Sequence, residues 1–264
     1  MVSVNKIEIP DGKFFVKAIK TLTKIHETMI IELKGNELHF YGMDCSKVAY
    51  SHLIVKLPPT VNFEFKREIN IILFHDGLKG IKAKDGLLLF FDTTTNELTV
   101  QRGNFNYTIQ TFQPDERYEV PLPTEVFEKI EPLTPEMIVI PIAEFLDSLK
   151  IACNISEEVT FSLKDEKFTL SSNSFGASYV KGINVYEKHE EVSAVFSTHY
   201  LRCYLNEFGK YRNDITLWLG NNEPVMFQYK DPDWSYVFKA VIAPRAVEEE
   251  EEEDVEDIEG DQDD

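Results

Sequence analysis

The strongest constraint on this chain is an internal repeat. Phe14 to Ile25 has the apolar spacing of an amphipathic helix, with Asp11 placed as its N-cap. The run Met29–Leu33, a Lys34-Gly35-Asn36 turn and the run Leu38–Tyr41 then read as a β-hairpin. The same order returns at an offset of 130 residues. Ile142 to Cys153 reads as a helix, followed by Val159–Leu163, a Lys164-Asp165-Glu166 turn and Phe168–Leu170. Phe15 maps to Phe145, Ile19 to Leu149, Leu33 to Leu163 and Lys34 to Lys164. A second helix and strand follow in each half: Leu73–Ala83 with Leu87–Phe91, then Tyr200–Phe208 with Ile215–Leu219. Each half therefore predicts strand, helix, several antiparallel strands, helix and several more strands. A periodicity of this kind implies two copies of one supersecondary unit.

The halves meet at a stretch with five prolines, Pro114, Pro121, Pro123, Pro132 and Pro135. Proline removes a backbone donor and opposes helix interiors and central strands, so 114–135 reads as a linker without regular structure. The expected organisation is an N-terminal domain 1–113, a connector 114–135, a C-terminal domain 136–247 and a tail 248–264. The fold class is α+β.

Charge is unevenly spread. The 264 residues carry 27 basic and 46 acidic side chains, a net charge of −19, but 13 of those acids fall between Glu248 and Asp264 with no Lys or Arg among them. Without the tail, 33 acids face the same 27 basic residues, leaving −6. The tail's like charges and two apolar residues, Val255 and Ile258, predict a disordered segment. No stretch has the length of a membrane span, and the N-terminus lacks a signal-peptide pattern. Cys45, Cys153 and Cys203 are odd in number and far apart, which opposes a disulfide framework and any zinc spacing; a reducing cytosol or nucleus is the expected compartment.

Within this acidic chain the first helix concentrates positive charge. Lys13, Lys17, Lys20 and Lys24 fall within an arc of roughly 60° at the α-helical repeat, opposite Phe15, Ile19, Leu22 and Ile25. In the second helix Lys79 and Lys82, with Lys84 close behind, turn away from the stripe Phe74, Leu78 and Ile81. In the fourth, Arg202 and Lys210 turn away from Tyr200, Leu201, Tyr204, Leu205 and Phe208. The third helix departs from this pattern, offering Glu144, Asp147 and Lys150. Lysine stripes without a base-reading helix or interleaved aromatics suit the phosphate backbone of duplex DNA irrespective of sequence. An ordinary solvated face is the competing reading.

Chemistry-bearing motifs are absent: no phosphate-binding loop, no dinucleotide fingerprint, no HExxH, no clustered histidines. Asp44, Cys45 and Ser46 adjoin without a nucleophile elbow. No metal, cofactor or catalytic residue is expected.

Three motifs then carry a family resemblance. Tyr41-Gly42-Met43-Asp44-Cys45-Ser46-Lys47-Val48-Ala49 resembles the "M-D-x-S-x-V" loop of the proliferating cell nuclear antigen family of sliding clamps. Gly220 to Tyr229, with Pro224, resembles its penultimate hairpin. Val241-Ile242-Ala243-Pro244-Arg245 resembles its C-terminal "L-A-P-[KR]", in a form closer to archaeal members. The resemblance implies a three-subunit ring with helices lining the hole and sheets outside. Edge strands around 105–112 and 176–185 would pair between neighbours.

It further implies a processivity factor that encircles DNA and tethers polymerase, flap endonuclease and ligase after opening by a clamp loader. The location would be the nucleoid in an archaeon, or the nucleus in a eukaryotic or viral setting. Partners of the form Gln-x-x-aliphatic-x-x-aromatic-aromatic would enter a pocket built from Met43, Val48, Tyr50, Val120, Leu122, Pro224, Val241, Ile242, Ala243 and Pro244. Val241 stands where many relatives have an aromatic. Two rivals remain at this point: a clamp-fold scaffold or checkpoint-type subunit with other partners, and an enzyme whose site is assembled only by folding.

Overall fold

Asp11 begins the first helix as expected. Its carboxylate accepts from the backbone N–H groups of Lys13 and Phe14 at 2.9 and 3.1 Å, supplying partners that the first helical turn lacks. The computed structural model describes residues 4–59, 61, 63–80, 86–115, 120–205, 214–231, 233 and 235–246. Ile81, Lys82, Lys84, Phe208, Lys210 and the acidic tail lie outside them.

The first half runs β1 (Val4–Ile9), α1 (Gly12–Leu22), β2 (Thr28–Lys34), β3 (Glu37–Met43), β4 (Ala49–Lys56), β5 (Phe65–Asn70), α2 (Ile71–Leu78), β6 (Leu87–Asp92), β7 (Glu97–Arg102) and β8 (Phe105–Gln110). The second runs β9 (Glu136–Pro141), α4 (Ile142–Ile155), β10 (Glu158–Ser174), β11 (Ala177–Ser197), α5 (Thr198–Leu205), β12 (Asp214–Leu219), β13 (Val225–Lys230) and β14 (Tyr236–Ile242). Between them lie α3 (Pro123–Ile130) and a 3-10 turn over Glu131–Leu133.

The repeat extends to strand pairing. Both β10 and β11 are double-length. Glu158–Leu163 pairs with Val192–Ser197, and Lys167–Ser174 pairs with Ala177–Asn184, with register shifts around Asp165, whose φ is 52°. These pairings repeat those of β2 with β5 and of β3 with β4. Likewise the order β9-β12-β13-β14 repeats β1-β6-β7-β8. The two halves join where β14 pairs with β4, from Tyr236↔Val55 to Ile242↔Ala49, giving an eight-stranded antiparallel sheet. The strands corresponding to that joined pair are β8 and the Ala177–Asn184 segment of β11. Among the described residues β8 ends its sheet, and the segment's one strand partner is β10.

Alternation along each strand sends one row of side chains inward. On β6 these are Leu87, Leu89 and Phe91. The helices cover the inner faces. Phe14 of α1 lies 4.6 Å from the Tyr236 ring, Phe15 meets Phe40 and Phe74, and Tyr204 of α5 meets Phe227 at 5.3 Å. Fully burying one such side chain contributes roughly 1.5–3 kcal/mol. α1 packs against α2 and α5, and α5 against α4, so the helices form a row in the order α2-α1-α5-α4.

Three expectations need correction. α1 stops at Leu22, where Lys24 and Ile25 bond back to Thr21 and Leu22 in a tighter turn, so Lys24 follows the helix. α2 begins at Ile71, because the Asn70 side chain accepts from the Leu73 N–H at 2.9 Å, and it ends before Gly80, whose φ is 79°. The connector holds a helix. Pro123 occupies the first turn of α3, where the missing N–H costs nothing, and the next proline comes after its end.

Candidate functional site

The helix row presents the predicted cations on its outer side. Lys13, Lys20 and Lys24 are exposed and Lys17 is half-buried, while Phe14, Phe15, Ala18, Ile19 and Leu22 face inward. Arg202 on α5 is exposed. Lys79 lies just past α2, and its ammonium meets Asp76 at 2.6 Å, an ion pair that holds the aspartate carboxyl below its usual range. Lys150 on α4 is similarly matched by Asp147 at 3.0 Å. Among the described residues the exposed helix cations are most numerous on α1, with Arg202 on the neighbouring α5.

Where α1, α4 and α5 converge, a cavity of about 770 Å³ is lined by Lys24, His199, Arg202 and Arg245 together with Cys153 and Cys203. Arg245 reaches it because its backbone N–H bonds to the Val195 carbonyl and its guanidinium to Glu158. The sequence motif containing Arg245 gave no sign of this position, which depends on the chain's return path. Burial pushes the Cys153 thiol up to about 11, the opposite of what a reactive cysteine requires.

The Met43–Ala49 loop is organised by one carboxylate. Asp44 accepts from the backbone N–H groups of Val48 and Ala49, each at 2.7 Å, from that of Ser46 at 3.2 Å, and from the Tyr200 hydroxyl at 2.8 Å. Buried Asp44 is thus a structural pin, which explains its adjacency to Ser46 without any catalytic arrangement. Beneath it, His26 Nε2 lies 2.5 Å from Ser51 Oγ, which lies 2.7 Å from the Tyr204 hydroxyl. Burial lowers the His26 pKa to about 4, against the opposing pull of Asp44.

Beside this loop runs a groove of about 850 Å³, lined among others by His26, Met29, Ile30, Met43, Asp44, Val120 and Pro121. It continues into a second apolar cluster on the outer sheet face, formed by Ile30, Tyr41, Tyr50, Met226 and Val241. Met43, Val120 and Trp218 pack against that cluster, as do Val126, Phe127 and Ile130 of α3. The Tyr50 hydroxyl donates to the Pro121 carbonyl at 3.0 Å, fixing the connector at the groove's edge. Burial pushes the Tyr50 hydroxyl pKa well up, so it remains a donor.

Among the predicted pocket residues, Met43, Tyr50, Val120 and Val241 come together. Leu122 is 38% exposed and starts α3. Pro224, Ala243 and Pro244 are half-buried, and Val48 packs on the main core. Ile242 does not line the groove. Strand alternation turns it opposite to Val241 and into the main core, where it is fully buried. Tyr41, Met226, Trp218 and the α3 residues were missed. Tyr41 and Met226 lie within motifs already noted, whereas the role of α3 was hidden by the proline reading.

No family model matches the sequence. The chain is 21% identical over 257 residues to the DNA polymerase sliding clamp of Methanothermobacter thermautotrophicus, covering 93% of this chain and 99% of that one. Its fold is similar to that of the A. fulgidus PCNA solved with the C-terminal region of FEN-1 (TM-score 0.78, 19% identity, 93% and 100% of the two chains). It is also similar to a chain of the PCNA2–PCNA3 complex of Sulfolobus tokodaii (TM-score 0.75, 20% identity, 92% and 100%). Among the described residues no helix is long and apolar enough to cross a membrane. With its Met-Asp loop, its proline hairpin and its Ala-Pro-Arg ending, the chain is similar along nearly its whole length to the DNA polymerase sliding clamps of the proliferating cell nuclear antigen family, and it has their fold.

Proposed function

We propose that this protein is a processivity clamp that closes with further copies into a ring around duplex DNA. The observation that carries the reading is the repeated pairing scheme. Within the chain, β14 of one half joins β4 of the other. The corresponding strands, β8 and the first part of β11, are edges that a second copy can join in the same antiparallel manner. Repeating that contact head to tail generates a ring where the rotation closes, and closure removes exposed strand edges. The copy number expected from the family resemblance is three.

In such a ring the helix row would face the hole, bringing Lys13, Lys17, Lys20, Lys24 and Arg202 towards phosphates. DNA contact is also proposed for Lys82, Lys84 and Lys210, which lie outside the described residues. Contacts of this kind release counterions without reading bases, so they weaken with salt and permit sliding. The role is one of binding and tethering. Replication enzymes would dock through short apolar peptides at the groove beside Met43 and Val120. The FEN-1 segment bound to the A. fulgidus relative supports a flap endonuclease among them, with polymerase, ligase and clamp loader expected to share the site. The organism's cell plan would decide between nucleoid and nucleus.

Sedimentation velocity on the purified chain, followed by polymerase primer extension on circular and linear templates, tests this reading. A trimer that raises processivity and slides off linear templates with open ends is expected. A monomer at all concentrations with no effect on extension would reject it.

A further inference from the structure

The groove is only half open. Its Met43–Val120 end is accessible, whereas the patch formed by Tyr41, Tyr50, Met226 and Val241 lies beneath α3. The contact centres on Phe127. Its ring meets Tyr50 edge-on at 6.0 Å and stacks on His52 at 6.1 Å, with the Lys239 ammonium 4.8 Å from its centroid. Val126 and Ile130 complete one apolar side of the helix, while Glu125, Glu128 and Glu131 are exposed around it.

We propose that α3 is an internal stand-in for the partner segment: it occupies the aromatic half of the groove and must leave when a partner fills that half. The patch displays its own ligand chemistry through α3. That ligand is a short helical turn with an aromatic side chain between aliphatic ones and acidic residues alongside, the aromatic lying between His52 and Lys239. This inference rests on the partner-groove reading above.

Physical considerations support a removable segment. α3 has eight residues and none is buried. A helix that short has little stability of its own, so its order depends on the side chains it sets on the patch. The Tyr50–Pro121 hydrogen bond holds the connector just before α3, so the helix can swing away while the open half of the groove keeps its wall. A site occupied by its own cover binds ligand more weakly in proportion to the fraction of molecules that are uncovered. Loosening α3 should therefore tighten partner binding, which is the reverse of what removing a wall of the groove would do.

Calorimetry on the full chain with a synthetic Gln-x-x-Leu-x-x-Phe-Phe peptide tests this. Two variants are used. Phe127→Ala removes the central contact. Lys129→Gly leaves the contacting side chains intact and weakens the helix. Both should bind the peptide about fivefold more tightly or better. In the unaltered protein, saturation with peptide should speed amide hydrogen exchange across 126–130. Equal affinity in all three proteins, with slow exchange retained at saturation, would show α3 staying in place and overturn the proposal while leaving the groove as a partner site. Weaker binding by Phe127→Ala would make Phe127 part of the wall and overturn it as well. Absence of binding by any of the three would remove the partner-groove reading and this proposal together.

Discussion

The Tyr200 hydroxyl donates to Asp44 at 2.8 Å, joining a helix of the second half to the signature loop of the first across 156 positions. The loop that borders the groove is therefore positioned by the half of the chain that lacks it. With three backbone donors on the same carboxylate, Asp44 has every reason to be kept as an acid. A hydroxyl or amide of similar size could not accept so many bonds at once.

Asp44→Ala should accordingly be costly. It leaves buried donors without an acceptor, at roughly 1–3 kcal/mol each before relaxation, so a loss of about 3 kcal/mol is expected in urea unfolding. Tyr200→Phe removes one of the four bonds and should cost about 1 kcal/mol. Equal, small effects for both would mean that the loop holds itself without the carboxylate.

The lysine stripe gives a prediction of opposite character. Replacing Lys13 with Lys17, or Lys20 with Lys24, by Ala in pairs should change stability by only about 0.5 kcal/mol per site. Polymerase stimulation should fall, and the slope of log affinity for DNA against log salt should become shallower by about 0.9 for each phosphate that is no longer neutralised. An unaltered slope would assign the stripe to plain solvation.

Two residues of the eight-stranded sheet, one in the main core and one at the groove, should behave differently. Ile242→Ala opens a cavity in the main core and should cost about 2–5 kcal/mol of stability. Met43→Ala, at the half-buried rim of the groove, should leave folding nearly unchanged and weaken peptide binding about tenfold, equivalent to 1.4 kcal/mol. Chemical denaturation and calorimetry on the same preparations separate the two outcomes.

Acid sensitivity should arise beneath α3. Burial and the neighbouring charges of His39 and Lys239 lower the His52 pKa to about 3, while burial also lowers that of His39 despite the opposing pull of Glu37. Folded-state values below the unfolded value of about 6.5 mean that the unfolded chain binds more protons. The stability is then complete above that pH and declines as acid is added, by about 1.4 kcal/mol per pH unit for each such histidine within its window. His26, lowered to about 4, adds to the same trend. Thermal melts of His52→Phe between pH 7 and 4 should show a shallower decline than the parent; an identical slope would place the titration elsewhere.

Edge strand β11 supplies the test of assembly. Val180 is 70% exposed on the segment expected to meet a neighbouring copy. Val180→Glu should dissociate the ring in sedimentation while the monomer's melting is retained. An assembly indifferent to this charge would have to use another surface.

The sequence and the fold agree where local pattern is sufficient. Alternation revealed the hairpins, the 3.6-residue period revealed α1 and α4, and Asp11 marked a helix start because capping is local. Four features were not legible. Five prolines concealed α3, since their density matters less than the proline-free run between Pro123 and Pro132. Ile242 was assigned to the groove with its neighbours because a motif read as a string ignores which face each residue takes. The cavity joining Lys24, Arg202 and Arg245 draws on three distant segments, and no spacing rule reaches across such separations. Likewise, Tyr41 and Met226 become groove residues only once β3 and β13 lie in one sheet.

The β4–β14 junction has a mechanical corollary. Every subunit of a closed circlet would contain one such seam within a single polypeptide, secured by the connector, and share an equivalent seam with its neighbour that has no covalent tie. Prising the circlet open at the first kind would leave its two sides still leashed together by residues 114–135. Only the second kind could part completely to admit a DNA strand. In such a circlet the repeat would make all seams similar in architecture, and the peptide link alone would decide which of them could serve as a door.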